Sequence, residues 1–253
     1  MKVAGKDQTI SGETFEILRA QILAGDIAPG SKIKTQEVAQ RMGVSLGALR
    51  EALPQLIAEG LVVVEAHRGY TVTPLSIEDL LDLTRVRTEV EVLCLTWSMQ
   101  LGQLEWESEV IAASHRLAKT FRAADRVAVS PAWIAAHDIY HTALASACGS
   151  PRLLLIRKQL YELSERYRKM ESVIARQRDP DDEHKRITEA AIERNIPVAT
   201  QLLSSHIERT TENIVKMMRK KILETARTGP PRLQGRKSPA RTARQPRRGS
   251  STR

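Results

Sequence analysis

Three short helices and a β-hairpin, then an all-helical bundle, then an unstructured basic tail: the sequence predicts a mainly α chain in two folded parts. Apolar residues recur at helical spacing to about residue 225, with one extended stretch, "LVVVEAHRGYTVTP" (61–74). Pro131, Pro151, Pro180 and Pro197 each stand near a helix start, where a missing N–H is no loss. Residues 226–253 hold nine Lys/Arg, no acid and almost nothing apolar, so they cannot bury enough surface to fold.

The 253 residues, 42% of them apolar, suffice for two cores. The net charge of +9 lies wholly in the tail, because residues 1–225 carry 30 basic against 30 acidic side chains. The tail is therefore a solubilising end or a non-specific phosphate grip, and the high pI says nothing of the folded part. No apolar run approaches the ~18–20 residues of a membrane span, and "MKVAGKDQTI" has no signal-peptide core. Cys94 and Cys148 sit in unrelated helical stretches and suggest no disulfide framework. A reduced cytoplasm is the expected compartment.

Helical periodicity begins in "SGETFEILRAQILAG", where Phe15, Leu18, Ile22 and Leu23 share one face, with Ser11 as N-cap and Gly25 as stop. "APG" (28–30) is a turn, and "TQEVAQRMG" a second helix ending at Gly43. Ser45 caps a third helix to about Glu59, ended by Gly60. Pro54 lies within it, where proline removes a backbone bond. "LVVVEA", a turn at "HRG" and "YTVTP" make a two-stranded hairpin. This is the pattern of a winged helix-turn-helix, whose third helix enters the major groove. The domain runs over residues 1–75. Beyond it, helices are predicted at roughly 77–101, 104–125, 131–147, 151–176, 180–194 and 197–225, with Ser76-x-x-Asp79 capping the first. They make an all-α domain over 76–225, and the disordered tail covers 226–253.

The stretch from "AGDIAPG" to "RGYTVTP", with "VAQRMGVS", "REAL" and "EGLV" between, resembles the DNA-binding domain of the GntR family of bacterial transcription regulators. The resemblance implies DNA contacts by Thr35, Ser45, Leu46, Gly47 and Arg50, and by His67, Arg68 and Gly69 in the wing. Leu46 stands where the family usually has arginine, and Gly47-Ala48 where it has Thr-Pro, so a different base preference or weaker binding is expected. Arg50 keeps the family's arginine, whose fork suits guanine or phosphate. The plain alternatives are a surface Arg50–Glu51 pair and a solvated wing turn.

"LTRVRTEVE", "HDIYHTALASACGSPRL" and "EHKRITEAAIERNIPVATQLLSSHI" are similar to motifs of the FadR-type effector domain, called FCD. Trp133, His137, His141, Leu144 and Cys148 follow a 4,4,3,4 spacing, which puts both histidines on an inward stripe. A lone inward histidine is more often a satisfied core residue. The resemblance, however, implies that His137, His141, His184 and His206 hold a divalent metal on the floor of a ligand cavity. Imidazole suits zinc or nickel. The family's first ligand is usually aspartate, so Asp138 is the alternative to His137. Arg87 and Arg168 are the candidate effector-binding arginines, with an Arg87–Glu91 pair as the plain alternative.

These features predict a ligand-responsive regulator, more often a repressor in this family, that binds double-stranded operator DNA as a homodimer. A small carboxylate is the expected effector, and helix 77–101, directly after the wing, the expected transmission element. A metal-responsive sensor, a metal-dependent enzyme using the histidines, and a DNA coater acting through the tail are the competing expectations.

Overall fold

In the computed structural model, residues 9–65, 69–123, 130–169 and 180–228 are described. The chain runs α1 (Ile10–Ala24), β1 (Lys32–Ile33), α2 (Thr35–Met42), α3 (Leu46–Ala58), β2 (Val62–Glu65) and β3 (Gly69–Val72). Six longer helices follow: α4 (Ile77–Leu101), α5 (Leu104–Ala123), α6 (Pro131–Ala145), α7 (Pro151–Arg168), α8 (Pro180–Ile192) and α9 (Ile196–Thr228). A compact unit extends to Met218, and α9 continues past it.

Short polar caps set the helix starts. Thr9, in extended conformation, accepts from the Gly12 N–H and starts α1 two residues earlier than Ser11 would, so Ser11 lies inside the helix instead of capping it. Ser45, Ser76, Ser130 and Ser150 accept from the N–H three residues on and start α3, α4, α6 and α7. Gly25 and Gly43 end α1 and α2 in the left-handed region, where a side chain would be strained. Pro54 lies inside α3 without ending it.

The wing is a three-stranded antiparallel sheet of order β1-β3-β2, not a two-stranded hairpin. Lys32 and Ile33 pair with Thr71 and Tyr70 on the free edge of β3. This covers that edge and buries Ile33 beside Leu18, Leu49 and Val72 in the core of the head. A second core joins α4, α5, α6, α8 and α9 around Trp106, Tyr140, Leu144, Ile187 and Leu203. Trp106 donates its ring N–H to the Ala143 carbonyl at 2.9 Å, so the one polar atom of that large ring is satisfied. Between α4 and α7, Leu80, Leu83 and Tyr167 pack with Ile214 and Met218 of α9. The two cysteines, far apart in sequence, meet in a small buried cluster with Ala145.

Predicted helix bounds hold to within a few residues for α4, α5, α6, α8 and α9. The C-terminal part of the predicted 151–176 helix lies outside the described residues. Helix α9 reaches Thr228, so the first three residues assigned to the tail are helical, and the rest of the tail is not described.

Candidate functional site

Two groups of residues set themselves apart, one at the N-terminus of α3 and one inside the helical bundle. In α3, Ala48 and Leu49 face the core while Ser45, Leu46, Gly47 and Arg50 are exposed together on the first turn. The Ser45 hydroxyl accepts from the Ala48 N–H at 3.1 Å, which fixes that turn. Arg50 is exposed and has no ion-pair partner among the described residues, so the surface pair with Glu51 does not form. The exposed helix start, its N–H groups and one exposed arginine form a surface able to meet a phosphate backbone. Thr35 opens α2 and is half-buried, and Gly69 opens β3 with a φ of 83° that only glycine adopts comfortably. His67 and Arg68 lie outside the described residues.

The second group converges from three helices. His137 and His141 of α6, His184 of α8 and His206 of α9 are all buried, and one ring nitrogen from each lies within 4.8 Å of the others. The 4-residue step on α6 stacks the first two, whose Nε2 atoms are 3.2 Å apart. Nitrogens around one tetrahedral ion at ~2.0–2.1 Å would stand ~3.4 Å apart, so modest closure of the rings completes the site. Burial foremost, and then the Arg168 charge, hold His137 well below the ordinary imidazole range. Burial, His206 and His184 do the same to His141. Both rings are therefore neutral near pH 7, as a metal ligand must be. The Nδ1 of His206 meets Glu183 at 2.9 Å, an outer carboxylate of the kind that orients a metal-binding imidazole. The His141 Nδ1 is buried without a hydrogen-bond partner among the described residues. This donor set could hold a metal ion.

Asp138 does not join this cluster. One residue along from His137, it is turned by about 100° to the other side of α6. There it is exposed and lines a groove of about 800 Å³ between α6 and α7.

Arginines ring the histidines. Arg168 donates to His137 Nδ1 at 2.9 Å, pairs with Glu165 at 2.7 Å and lies over the Trp133 ring. Arg87 donates to the Ser164 hydroxyl at 2.7 Å, while its Nε is 3.5 Å from Glu91. The pair with Glu91 thus exists but is loose, because Glu91 is held more closely by Arg157 at 2.8 Å. Arg157 and Tyr161 escaped the sequence reading. Tyr161 carries Arg87 and Arg157 over its ring and places its hydroxyl 3.1 Å from His137 Nδ1. The 4,3,4 spacing of Arg157, Tyr161, Ser164 and Arg168 marks the inward face of α7 and was the available signal. The centre therefore presents four imidazoles, two of them held neutral, two buried guanidiniums offset by one carboxylate, and a third guanidinium at its edge. Such a set can hold a metal ion and an anion together.

Comparison with known proteins bears on both groups. Residues 10–72 match the bacterial regulatory proteins of the gntR family, and residues 82–209 match the FCD domain. The HTH-type transcriptional regulator BphR of Paraburkholderia xenovorans is 38% identical over 77% of this chain and 81% of its own. The HTH-type transcriptional repressor GlaR of Escherichia coli is 32% identical over 76% of this chain and 90% of its own. Among solved structures, McbR/YncC of E. coli superposes with a TM-score of 0.68 at 16% identity, covering 83% of this chain and 99% of that one. A GntR regulator of Rhodococcus sp. RHA1 gives 0.66 at 25% identity, over 81% and 97%. The matched families and relatives are transcriptional regulators, not enzymes.

Proposed function

The chain belongs to the gntR family of bacterial regulatory proteins and carries an FCD domain, and from that premise we propose a repressor switched by a small carboxylate at a metal-containing centre. The observation that carries this reading is the convergence of four buried histidine nitrogens within 4.8 Å, beside Arg87 and Arg168. His137, His141, His184 and His206 would hold the ion, zinc or nickel by its preference for imidazole. Bound there, the ion supplies a Lewis-acidic seat for one carboxylate oxygen. Arg87 and Arg168 offer their N–H groups to the rest of the anion.

Ser45, Leu46, Gly47 and Arg50 are the residues we assign to operator contact, with Thr35 and Gly69 flanking and His67 and Arg68 of the wing completing the set. Repression follows the relative named as a repressor. A homodimer on a two-fold operator is supported by a bare apolar stripe on α4, where Val86, Leu93, Trp97 and Leu101 are 36–57% exposed at 7,4,4 spacing. Among the described residues no helix is long and apolar enough to cross a membrane, and a cytoplasmic place fits a DNA-binding regulator. The basic tail would add non-specific duplex affinity.

Thermal melting against a panel of mono- and dicarboxylic acids, with zinc-loaded and with chelated protein, tests the reading. It stands if an acid raises the melting temperature only in the loaded protein. An acid that works equally after chelation removes the metal from effector binding.

A second reading draws on the ligand count. Four imidazoles close a tetrahedral shell, as in sites where the ion is not exchanged for substrate. In that case the ion itself is the signal, and zinc alone changes operator affinity with no acid present.

A further inference from the structure

Helix α7 has two working faces. Toward the bundle, Arg157, Tyr161, Ser164 and Arg168 meet Glu91, His137 and Arg87. Residues beside them turn toward the head and the start of α4. Arg166 donates to the Thr73 carbonyl at 2.8 Å, Lys169 to the Leu23 carbonyl, and the Tyr167 hydroxyl to Asp79. Leu163 packs against both the head core and the Leu80 cluster.

A further contact is made by Arg19 of α1. Its Nε donates to Glu59, the residue that caps the C-terminus of α3, at 2.6 Å. Its Nη atoms donate to Glu162 of α7, Nη1 at 3.5 Å and Nη2 closer. The Arg19 side chain is only 16% exposed and the two glutamates 22%, so the three charges are held largely out of water.

We infer that Arg19 is a positioning residue, the link by which α7 sets the placement of the DNA-contacting helix α3 according to the state of the histidine centre. The inference rests on the metal reading of that centre given above. A planar guanidinium can hold two carboxylates at once, one on each edge, which an ammonium on a flexible stem does poorly. Glu162 follows Tyr161 in the same helical turn. A shift of Tyr161 to suit an occupant at His137 therefore carries Glu162 with it, and Arg19 passes the movement to Glu59. Helix α4 adjoins the wing covalently, as the sequence suggested for the transmission element. It reaches β3 through residues 73–76, whereas Arg19 reaches the end of α3 directly.

Zinc is the probe, and the full chain is used throughout. Zinc binding is followed by calorimetry, and amide exchange of residues 46–58 is followed with and without zinc. The proteins compared are wild type, Glu162→Gln, Arg19→Gln, the double variant and Arg19→Lys. All should bind zinc alike. Loading should change exchange in α3 several-fold in wild type, in part in Arg19→Lys, and not at all in either glutamine variant. The double variant should match the single ones. A link that is only structural would loosen α3 in the glutamine variants yet keep the zinc-dependent ratio, and that result overturns the inference. A wild type that binds zinc without any change in α3 also overturns it. A wild type that binds no zinc instead removes the metal reading, and the inference falls with it.

Discussion

His137 and His141 are buried bases that stay unprotonated, and this has a direct consequence for stability. In the folded state burial holds both well below 6.5, whereas in the unfolded chain they titrate near that value. As the pH drops through about 6.5 the unfolded state takes up more protons than the folded one, so folding stability falls with it. For the metal-free protein, the urea midpoint is expected to decrease between about pH 7.5 and about pH 5.5, and to decrease less in His137→Gln. Glu91 makes a second case. Its side chain is 3% exposed, and Arg157 at 2.8 Å is its close partner. Arg157→Met leaves that carboxylate with only the looser Arg87 and should cost about 2–3 kcal/mol in urea unfolding, with Arg157→Met/Glu91→Leu recovering part of the loss. The sequence showed His137 and His141 because they share one periodic register on α6, and it added His184 and His206 through the resemblance to the FCD motifs. It hid Arg157 because charged residues on helices usually mark a solvated face. The packing of α7 on α4 shows that this arginine points inward, which its spacing with Tyr161, Ser164 and Arg168 alone only hinted at.

At the scale of the element, starts were more legible than ends, and helices more than strands. Ser130 and Ser150, each followed by proline, announce α6 and α7 in the sequence itself. Strand β1 gave no such signal. Two residues cannot show an alternating pattern, and Lys32–Ile33 becomes a strand only because the outer edge of β3 is there to receive it. The turn between α4 and α5 is tight for a physical reason. A Cβ on Gly102 would lie 2.7 Å from the Ser98 carbonyl oxygen and 2.8 Å from the Trp106 ring. Neither a helix carbonyl nor a buried indole can retreat easily. Gly102→Ala is therefore expected to destabilise the protein by about 1–3 kcal/mol, read as a lower urea midpoint.

For the whole molecule, charge separates into two roles. The folded part is balanced in sign, and its arginines are spent on specific partners such as Glu91, Glu162 and Glu165. The uncompensated charge is terminal. Deleting 229–253 should weaken binding to every duplex by a similar factor and make the dependence of log K on log salt shallower, while leaving the preference among sequences intact. Titration of truncated and full-length protein against a selected and a random duplex at several salt concentrations checks this. The division into a head and a helical bundle was legible from periodicity and motifs. The way the two are tied was not, because Arg19 and Glu162 are 143 residues apart and look like ordinary surface charges until folding joins them.

The buried cysteine pair also makes the chain convenient for optical work. Cys94 and Cys148 are 0% and 1% exposed, and burial pushes the Cys94 thiol up to about 12. A thiol that keeps its proton is a poor nucleophile toward maleimide dyes. Fluorophores can therefore be placed on cysteines introduced at exposed sites of α1 or α2 and of the helical bundle, with the native pair left in its core, and the distance between them followed by energy transfer.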